Sequence, residues 1–187
     1  AGVSQSTRSY IRKNQREQLL EFKSSKNPKD MPILTDMLRT VAGRNRVNFY
    51  HDEYYHKQAE ILMPAGMMRL ELALDGQKPI ASAVIHSYGS SSSYTYAASL
   101  PEARSKGASD LLLWHCILES KDRGAKSLDL FGIAPEDAGP RHPWAGISAF
   151  KKKFGGQVIE RTGTWELPLS GKYRLYRTAG RIRRLVR

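Results

Sequence analysis

The sequence predicts a mixed α/β fold, and three observations carry that prediction. Apolar residues recur at helical spacing over Met31, Ile33, Leu34, Met37, Leu38 and Val41. The pattern then changes to period two from Met67 to Ser99, interrupted by Asp75-Gly76, a strong hairpin signal. Helical spacing returns over Ser109–Arg123, followed by a short apolar strand at Ser127–Phe131. Helices on either side of an antiparallel meander make a layered α/β arrangement. A length of 187 residues suits one such core, with room for appended elements but not for a second full domain. Hydrophobic residues at 40% and charged residues at 26% exclude a disordered chain. No apolar run approaches the roughly 18 residues that span a bilayer. The single cysteine, Cys116, excludes an internal disulfide and a cysteine-rich zinc site. The first 26 residues are polar and basic without an apolar core, so no secretory leader is expected and a reducing cytoplasm is the default.

Each element follows from local chemistry. Thr7–Phe22 reads as a helix with Thr7 as N-cap, an apolar side of Leu19, Leu20 and Phe22, and a basic flank of Arg8, Arg12, Lys13 and Arg16. Ser24–Asp30, with Pro28, reads as a linker. The helix from Met31 should stop near Gly43, and another covers Asp52–Met63 until Pro64-Ala65-Gly66 ends it. Strands are expected at Met67–Leu74, Pro79–Tyr88 and Tyr94–Ser99, with Gly89–Ser93 as a flexible turn. Gly124 caps the Ser109–Arg123 helix. A proline-rich loop at Pro135–Pro143 leads to a short helix, Ile147–Phe154, closed by Gly155-Gly156. One or two strands are expected in Gln157–Leu167, and a basic helix over Lys172–Arg187.

Charge narrows the class of partner. Lys and Arg number 30 against 18 Asp and Glu, a net +12, and residues 151–187 hold eleven Lys or Arg against only Glu160 and Glu166. Such a bias suits nucleic acid, a phosphorylated substrate or an anionic lipid surface, although a merely solubilising face has the same composition. The five histidines are scattered, and His51 and His56 miss the four-residue spacing of a helical zinc site. There is no nucleophile elbow, P-loop or dinucleotide fingerprint. The segment Gly146-Ile147-Ser148-Ala149-Phe150-Lys151-Lys152-Lys153-Phe154-Gly155-Gly156 places Phe150 and Phe154 at i and i+4, so both face inward and the lysines outward. A lysine held beside a buried Phe can present positive charge to a developing oxyanion.

That segment resembles the G-(I/L)-x-x-F-K-x-x-F-G-G signature of the Fem-type (FemABX) aminoacyltransferases. Four further runs are similar to motifs of that family, in its order. They are Arg8-Ser9-Tyr10-Ile11-Arg12-Lys13, Tyr94-Thr95-Tyr96-Ala97-Ala98-Ser99, Ser127-Leu128-Asp129-Leu130-Phe131-Gly132-Ile133 and Thr162-Gly163-Thr164-Trp165-Glu166-Leu167-Pro168. Ala97 stands where the family usually has Gly. The resemblance implies an acetyltransferase-like (GNAT) fold with a central, mostly antiparallel sheet. It implies a connecting helix and linker over 1–29, the GNAT-like domain over 30–168 and a basic C-terminal helix over 169–187. A full member has two GNAT-like domains; the first has no counterpart in this chain, so three readings stay open: a fragment, a minimal family member, or one half of a two-chain enzyme with a separate chain supplying the first domain.

The resemblance further implies transfer of an amino acid from aminoacyl-tRNA to an amine on the peptide stem of a peptidoglycan precursor, lipid II or UDP-MurNAc-pentapeptide. The ester is already activated, so no cofactor or metal is expected beyond aminoacyl-tRNA as co-substrate. By the same likeness Lys151 stabilises the oxyanion and Phe150 positions it. Arg44, Tyr96, Tyr94 and Asp129 fall at substrate-binding positions. Tyr96 is preferred to Tyr94 for the cleft, with the two expected on opposite faces of the sheet. Lys152, Lys153, Arg174 and Arg177 are expected to meet tRNA phosphates. Structural roles compete for several of these: a helix C-terminal charge for Arg44, ordinary strand tyrosines for Tyr94 and Tyr96, a cap for Asp129. The tail can alternatively rest on an anionic membrane at its inner face. Two other readings remain. One is an acyl-CoA-dependent N-acetyltransferase, since Arg104-Ser105-Lys106-Gly107-Ala108-Ser109 faintly resembles that class's pyrophosphate turn. The other is a non-catalytic half that binds tRNA or a partner.

Overall fold

The computed structural model describes the backbone at residues 2–45, 49–163 and 165–185, with side chains at the same positions except 44, 45 and 181–185. Two compact units result, 1–156 and 157–187.

In the first unit, α1 (Gln5–Glu17) begins at Ser4, whose hydroxyl accepts from the Thr7 backbone N–H. Thr7 is therefore not the cap but a fully buried residue one turn in. The helix ends at Gln18, which takes the left-handed conformation (φ +47°). The following residues are not the last turn of that helix, as expected, but lead into strand β1 (Glu21–Ser25). Leu20, Phe22 and Ser24 then alternate inward, with Leu20 and Phe22 joining the core, while Glu21 and Lys23 face water. The expected linker is thus partly a strand, followed by a single 3-10 turn at Pro28–Asp30.

Next come α2 (Met31–Asn45), α3 (Asp52–Leu62), β2 (Met68–Asp75), β3 (Lys78–Tyr88) and β4 (Ser91–Ser99). Gly76 turns the β2–β3 hairpin with φ +59°, a value glycine adopts at no steric cost. The turn after β3 is shorter than expected, because Ser91–Ser93 already pair with β3. Helix α4 (Ala108–Asp122), strand β5 (Ser127–Asp129) and α5 (Ala145–Lys152) complete the unit.

The five strands run in the order β1-β2-β3-β4-β5. The first four pair antiparallel, and β5 lies parallel to β4. Helices cover both faces. Met68, Leu70 and Leu72 of β2 face the α2–α3 core with Met31, Leu34 and Tyr55. The intervening Ala73 faces the core of α4, with Leu111–Leu113 and Cys116, against which α1 and α5 also pack. Covered on both sides, β2 loses the polar-out alternation of a half-exposed strand.

In the second unit, α6 (Gly171–Leu185) is the expected basic helix. Among the described residues of 157–167 no strand occurs, contrary to expectation. A strand exists only through a ladder partner, and here Val158 and Ile159 stay 63% and 70% exposed.

Candidate active site

The sheet opens where the site forms. Strand β5 pairs with β4 only through Ser91–Ser93 and ends at Asp129, so Tyr94–Ser99 bond to β3 alone. At the end of β5 the chain turns sharply. The Asp129 carboxylate accepts from the Phe131 N–H at 2.7 Å, and Phe131 adopts φ +63°, uncommon for an aromatic residue. This turn aims the Gly132 carbonyl at α5, where the Lys151 ammonium donates to it at 2.8 Å.

Helix α5 is short and is held along its length. At its start the Ser148 hydroxyl accepts from the Ala134 N–H (2.8 Å) and donates to the Trp144 carbonyl (2.7 Å). Along its inner side Phe150 packs edge-on against Phe154, ring centroids 5.7 Å apart, both on the α4 core. Lys151, in the last turn, is left half-buried beside the turn that follows β5. Burial pushes its pKa below the ordinary 10.5, against the opposing pull of the Asp129 charge. The structure therefore brings Lys151, Phe150 and Asp129 together. Exposed Phe131, Trp144 and Ile147 lie on the same loop and helix, and none of them was singled out in the sequence.

The two tyrosines part company. Tyr94 is buried in the α4 core, whereas Tyr96 packs on the α2–α3 core and stays half-exposed. They are on opposite faces, as expected, but regular alternation does not put them there, since i and i+2 share a face. A β-bulge does it. Val84 pairs with Tyr96 and Ile85 with Tyr94, leaving Thr95 as the extra residue. Its hydroxyl donates to the Val84 carbonyl (3.1 Å) and lies 2.9 Å from His86 Nδ1. Burial, reinforced by Tyr54, raises the pKa of the Tyr96 phenol, so it remains a neutral hydroxyl.

Tyr54 is a residue sequence reasoning missed. Its hydroxyl lies 3.3 Å from that of Tyr96, and its ring lies 4.3 Å from Tyr50 and edge-on to Tyr55. Together they form an aromatic ledge with Tyr50 61% exposed. The only available signal was the run of tyrosines at 50, 54 and 55, whose facing was not readable without the sheet.

The remaining expected residues lie elsewhere. Lys152 is exposed on α5. Lys153 is engaged with Asp110, 3.1 and 3.4 Å from its two carboxylate oxygens. Arg174 and Arg177 lie exposed on α6, and Arg177 Nε is 3.7 Å from Glu166. The Arg44 side chain lies outside the described residues.

The turn ahead of α4 bears on the acyl-CoA reading. Gly107, at φ +63°, is the N-cap of α4, but the space beyond it is filled: a Cβ placed there would stand 2.6 Å from the Tyr10 ring of α1. The first turn of α4 already holds its own anion, the buried Asp110 carboxylate. Among the described residues no cluster of His, Cys, Asp or Glu could hold a metal ion, and no helix is long and apolar enough to cross a membrane.

Comparisons with known proteins agree with this architecture. A crystal structure of FemX superposes with a TM-score of 0.73 at 15% identity, over 82% of this chain and 54% of that one. This chain therefore spans about half the length of FemX. A predicted acetyltransferase with acetyl-CoA from Clostridium acetobutylicum matches with a TM-score of 0.56 at 17% identity, over 80% and 96% of the two chains. The aminoglycoside N-acetyltransferase AAC(6')-Iy in complex with CoA matches with a TM-score of 0.58 at 12% identity, over 79% and 94%. These likenesses establish the GNAT fold. A search of curated proteins finds no match. The FemAB family model matches residues 10–181. With that model spanning α1 through most of α6, the chain belongs to the FemAB family.

Proposed function

We propose that this chain is the catalytic half of an aminoacyltransferase that moves an amino acid from aminoacyl-tRNA to an amine on the peptide stem of a peptidoglycan precursor. The observation that carries the reading is the Lys151 ammonium, half-buried at the open end of the sheet and steered by the Gly132 carbonyl and the Asp129 charge. Attack of the acceptor amine on the aminoacyl ester puts negative charge first on the carbonyl oxygen and then on the departing ribose oxygen. A cation poised at that point stabilises both, and one such donor contributes about 3–4 kcal/mol to the transition state. Since the ester arrives activated, the reaction draws on no cofactor.

The exposed cations Lys152, Arg174 and Arg177 suit the phosphates of the tRNA. Tyr96, with Tyr54 beside it, suits the precursor, offering hydroxyls next to an aromatic surface. The acyl-CoA reading has the fold in its favour, but the Tyr10 ring packs against Gly107, and Asp110 already puts negative charge in the first turn of the helix that a pyrophosphate would face.

Single-turnover transfer tests the proposal. The chain, alone and with a first GNAT-like domain supplied in trans, is mixed with labelled aminoacyl-tRNA and muramyl pentapeptide carried on UDP or on lipid. A branched product lost in Lys151→Ala is the expected result. Product that persists in Lys151→Ala rejects the assignment. Salt-sensitive tRNA binding without turnover in either format identifies a binding module instead.

A further inference from the structure

Lys153, two residues beyond the proposed catalytic lysine, closes a ring of hydrogen bonds that no functional reading of the chain uses. Its carbonyl accepts from the Ser4 N–H at 2.7 Å. The Ser4 hydroxyl donates to the Thr7 hydroxyl (3.0 Å), which donates to Asp110 Oδ1 (2.7 Å). Asp110 in turn accepts from the Lys153 ammonium (3.1 and 3.4 Å). The ring thus leaves Lys153 by its backbone and returns by its side chain, passing through the start of α1 and the first turn of α4. Thr7 is fully buried and Asp110 only 7% exposed. Just beyond, Gly155 (φ +69°) lies so close to Gly2 that a Cβ at Gly155 would overlap the Gly2 backbone.

A carboxylate this buried is costly unless hydrogen-bonded and paired, and here both conditions are met across three chain segments. The mechanical consequence falls on α5. Its N-terminal end is pinned through Ser148 and its inner side through Phe150 and Phe154, and its C-terminal end is tied to the N-terminal segment through the Lys153 ring and the Gly2–Gly155 contact. Lys151 sits between Ser148 and Lys153, so both anchors set where its ammonium points.

We infer that Asp110, with Thr7 and Ser4, is a positioning residue for Lys151, and that the N-terminal segment acts as a latch on the catalytic helix. The inference rests on the assignment of Lys151 above. A misplacement of the order of 1 Å at a reacting group costs up to about 10²-fold in rate, so the latch should register in kcat rather than in KM.

The experiment uses the full chain with selectively 13C-labelled lysine, the Lys151 signal being assigned with Lys151→Arg. Its titration and linewidth are followed in wild type, Asp110→Leu, Thr7→Val and Thr7→Ser. Transfer kinetics are measured on the same samples with the first domain supplied. Thr7→Val exchanges a hydroxyl for a methyl of similar size and serves if Asp110→Leu fails to fold. The expected result is a shifted or broadened Lys151 titration in Thr7→Val and Asp110→Leu, and recovery of the wild-type titration in Thr7→Ser. With it should come a fall of about 10-fold or more in kcat at unchanged KM. Folded variants with a lowered Tm but a wild-type Lys151 titration and kcat would reduce the ring to a structural contact and overturn the inference. If wild type transfers nothing, the activity assignment fails, while the Lys151 signal still reports whether the latch exists.

Discussion

Two polar clusters of the first unit are built on opposite principles. One joins β1, β2 and α4. Glu71 accepts from Arg69, from Ser24 at 2.9 Å and from His115 at 3.1 Å. Arg69 reaches on to Ser87 and Ser120, and Phe22 stacks on His115 with centroids 4.9 Å apart. Glu71 is wholly buried and Arg69 nearly so. Burial works most strongly against ionising Glu71, yet the hydrogen bonds from His115 and Ser24 and the charge of Arg69 outweigh it and hold the carboxyl below its ordinary value. The other cluster, at the end of β5, keeps its cation half-exposed, on the Gly132 carbonyl, with the exposed Asp129 nearby. A cluster that is both saturated and buried leaves no room for a ligand; a half-exposed cation does. Charge alone would have ranked Arg69–Glu71 first, but exposure reverses that ranking.

Removing a partner from the saturated cluster should produce the largest loss of stability. Glu71→Ala leaves the Arg69 guanidinium buried and unpaired, and breaking such a pair costs about 3–5 kcal/mol. Chemical denaturation should show that loss, and an unchanged midpoint would mean that water or another group compensates. The sign of its pH dependence is fixed as well. Because the folded-state pKa of Glu71 is lowered, its stabilisation is present above the ordinary value of 4.5 and is lost as pH falls through the folded-state value. The acid limb of unfolding should therefore flatten in the variant.

Lys151→Ala should do the reverse. Transfer should drop by about 10²–10³-fold, the scale of a lost oxyanion donor. Thermal unfolding should hardly move, because a half-exposed lysine leaves little behind it. A large fall in Tm with modest loss of rate would erase the contrast between the two clusters.

Asp129→Asn should act more mildly. The aspartate charge opposes the burial that lowers the Lys151 pKa, so its removal lowers that pKa further. The alkaline limb of the pH–rate profile, where Lys151 loses its proton, should then move to lower pH. An unmoved limb would separate Asp129 from the cation. The smallest effect is expected from Tyr54→Phe. It removes a half-exposed hydroxyl and keeps the ring, so precursor KM should rise by a few-fold with kcat nearly constant, in line with about 0.5–1.5 kcal/mol for one neutral hydrogen bond.

Local chemistry made much of this legible. The Asp75-Gly76 turn, the Gly124 stop and the Phe150/Phe154 pair at helical spacing each depend on neighbours within a few residues, and each formed where expected. Family motifs brought Lys151, Phe150 and Asp129 to notice, and the fold brings the Asp129 charge near Lys151. The misreadings have a common cause. Leu19, Leu20 and Phe22 suit a helix by spacing, but β2 offers a free edge, and pairing with it takes precedence over propensity. Thr7 has the composition of a cap, and only Asp110, 103 residues away, makes it a buried donor. In Val158 and Ile159 the sequence has strand formers without a partner strand among the described residues.

By itself, then, the sequence determined the order of the elements from α2 to α5, the helix and turn signals and the family, because periodicity and short motifs are properties of neighbouring residues. Tertiary structure decided which face Tyr94 and Tyr96 take, through one extra residue at Thr95. It also decided that Lys153 belongs to Asp110 while Lys151 reaches the Gly132 carbonyl. Those outcomes depend on ladder register and on contacts between distant segments, and both exist only once the sheet has assembled.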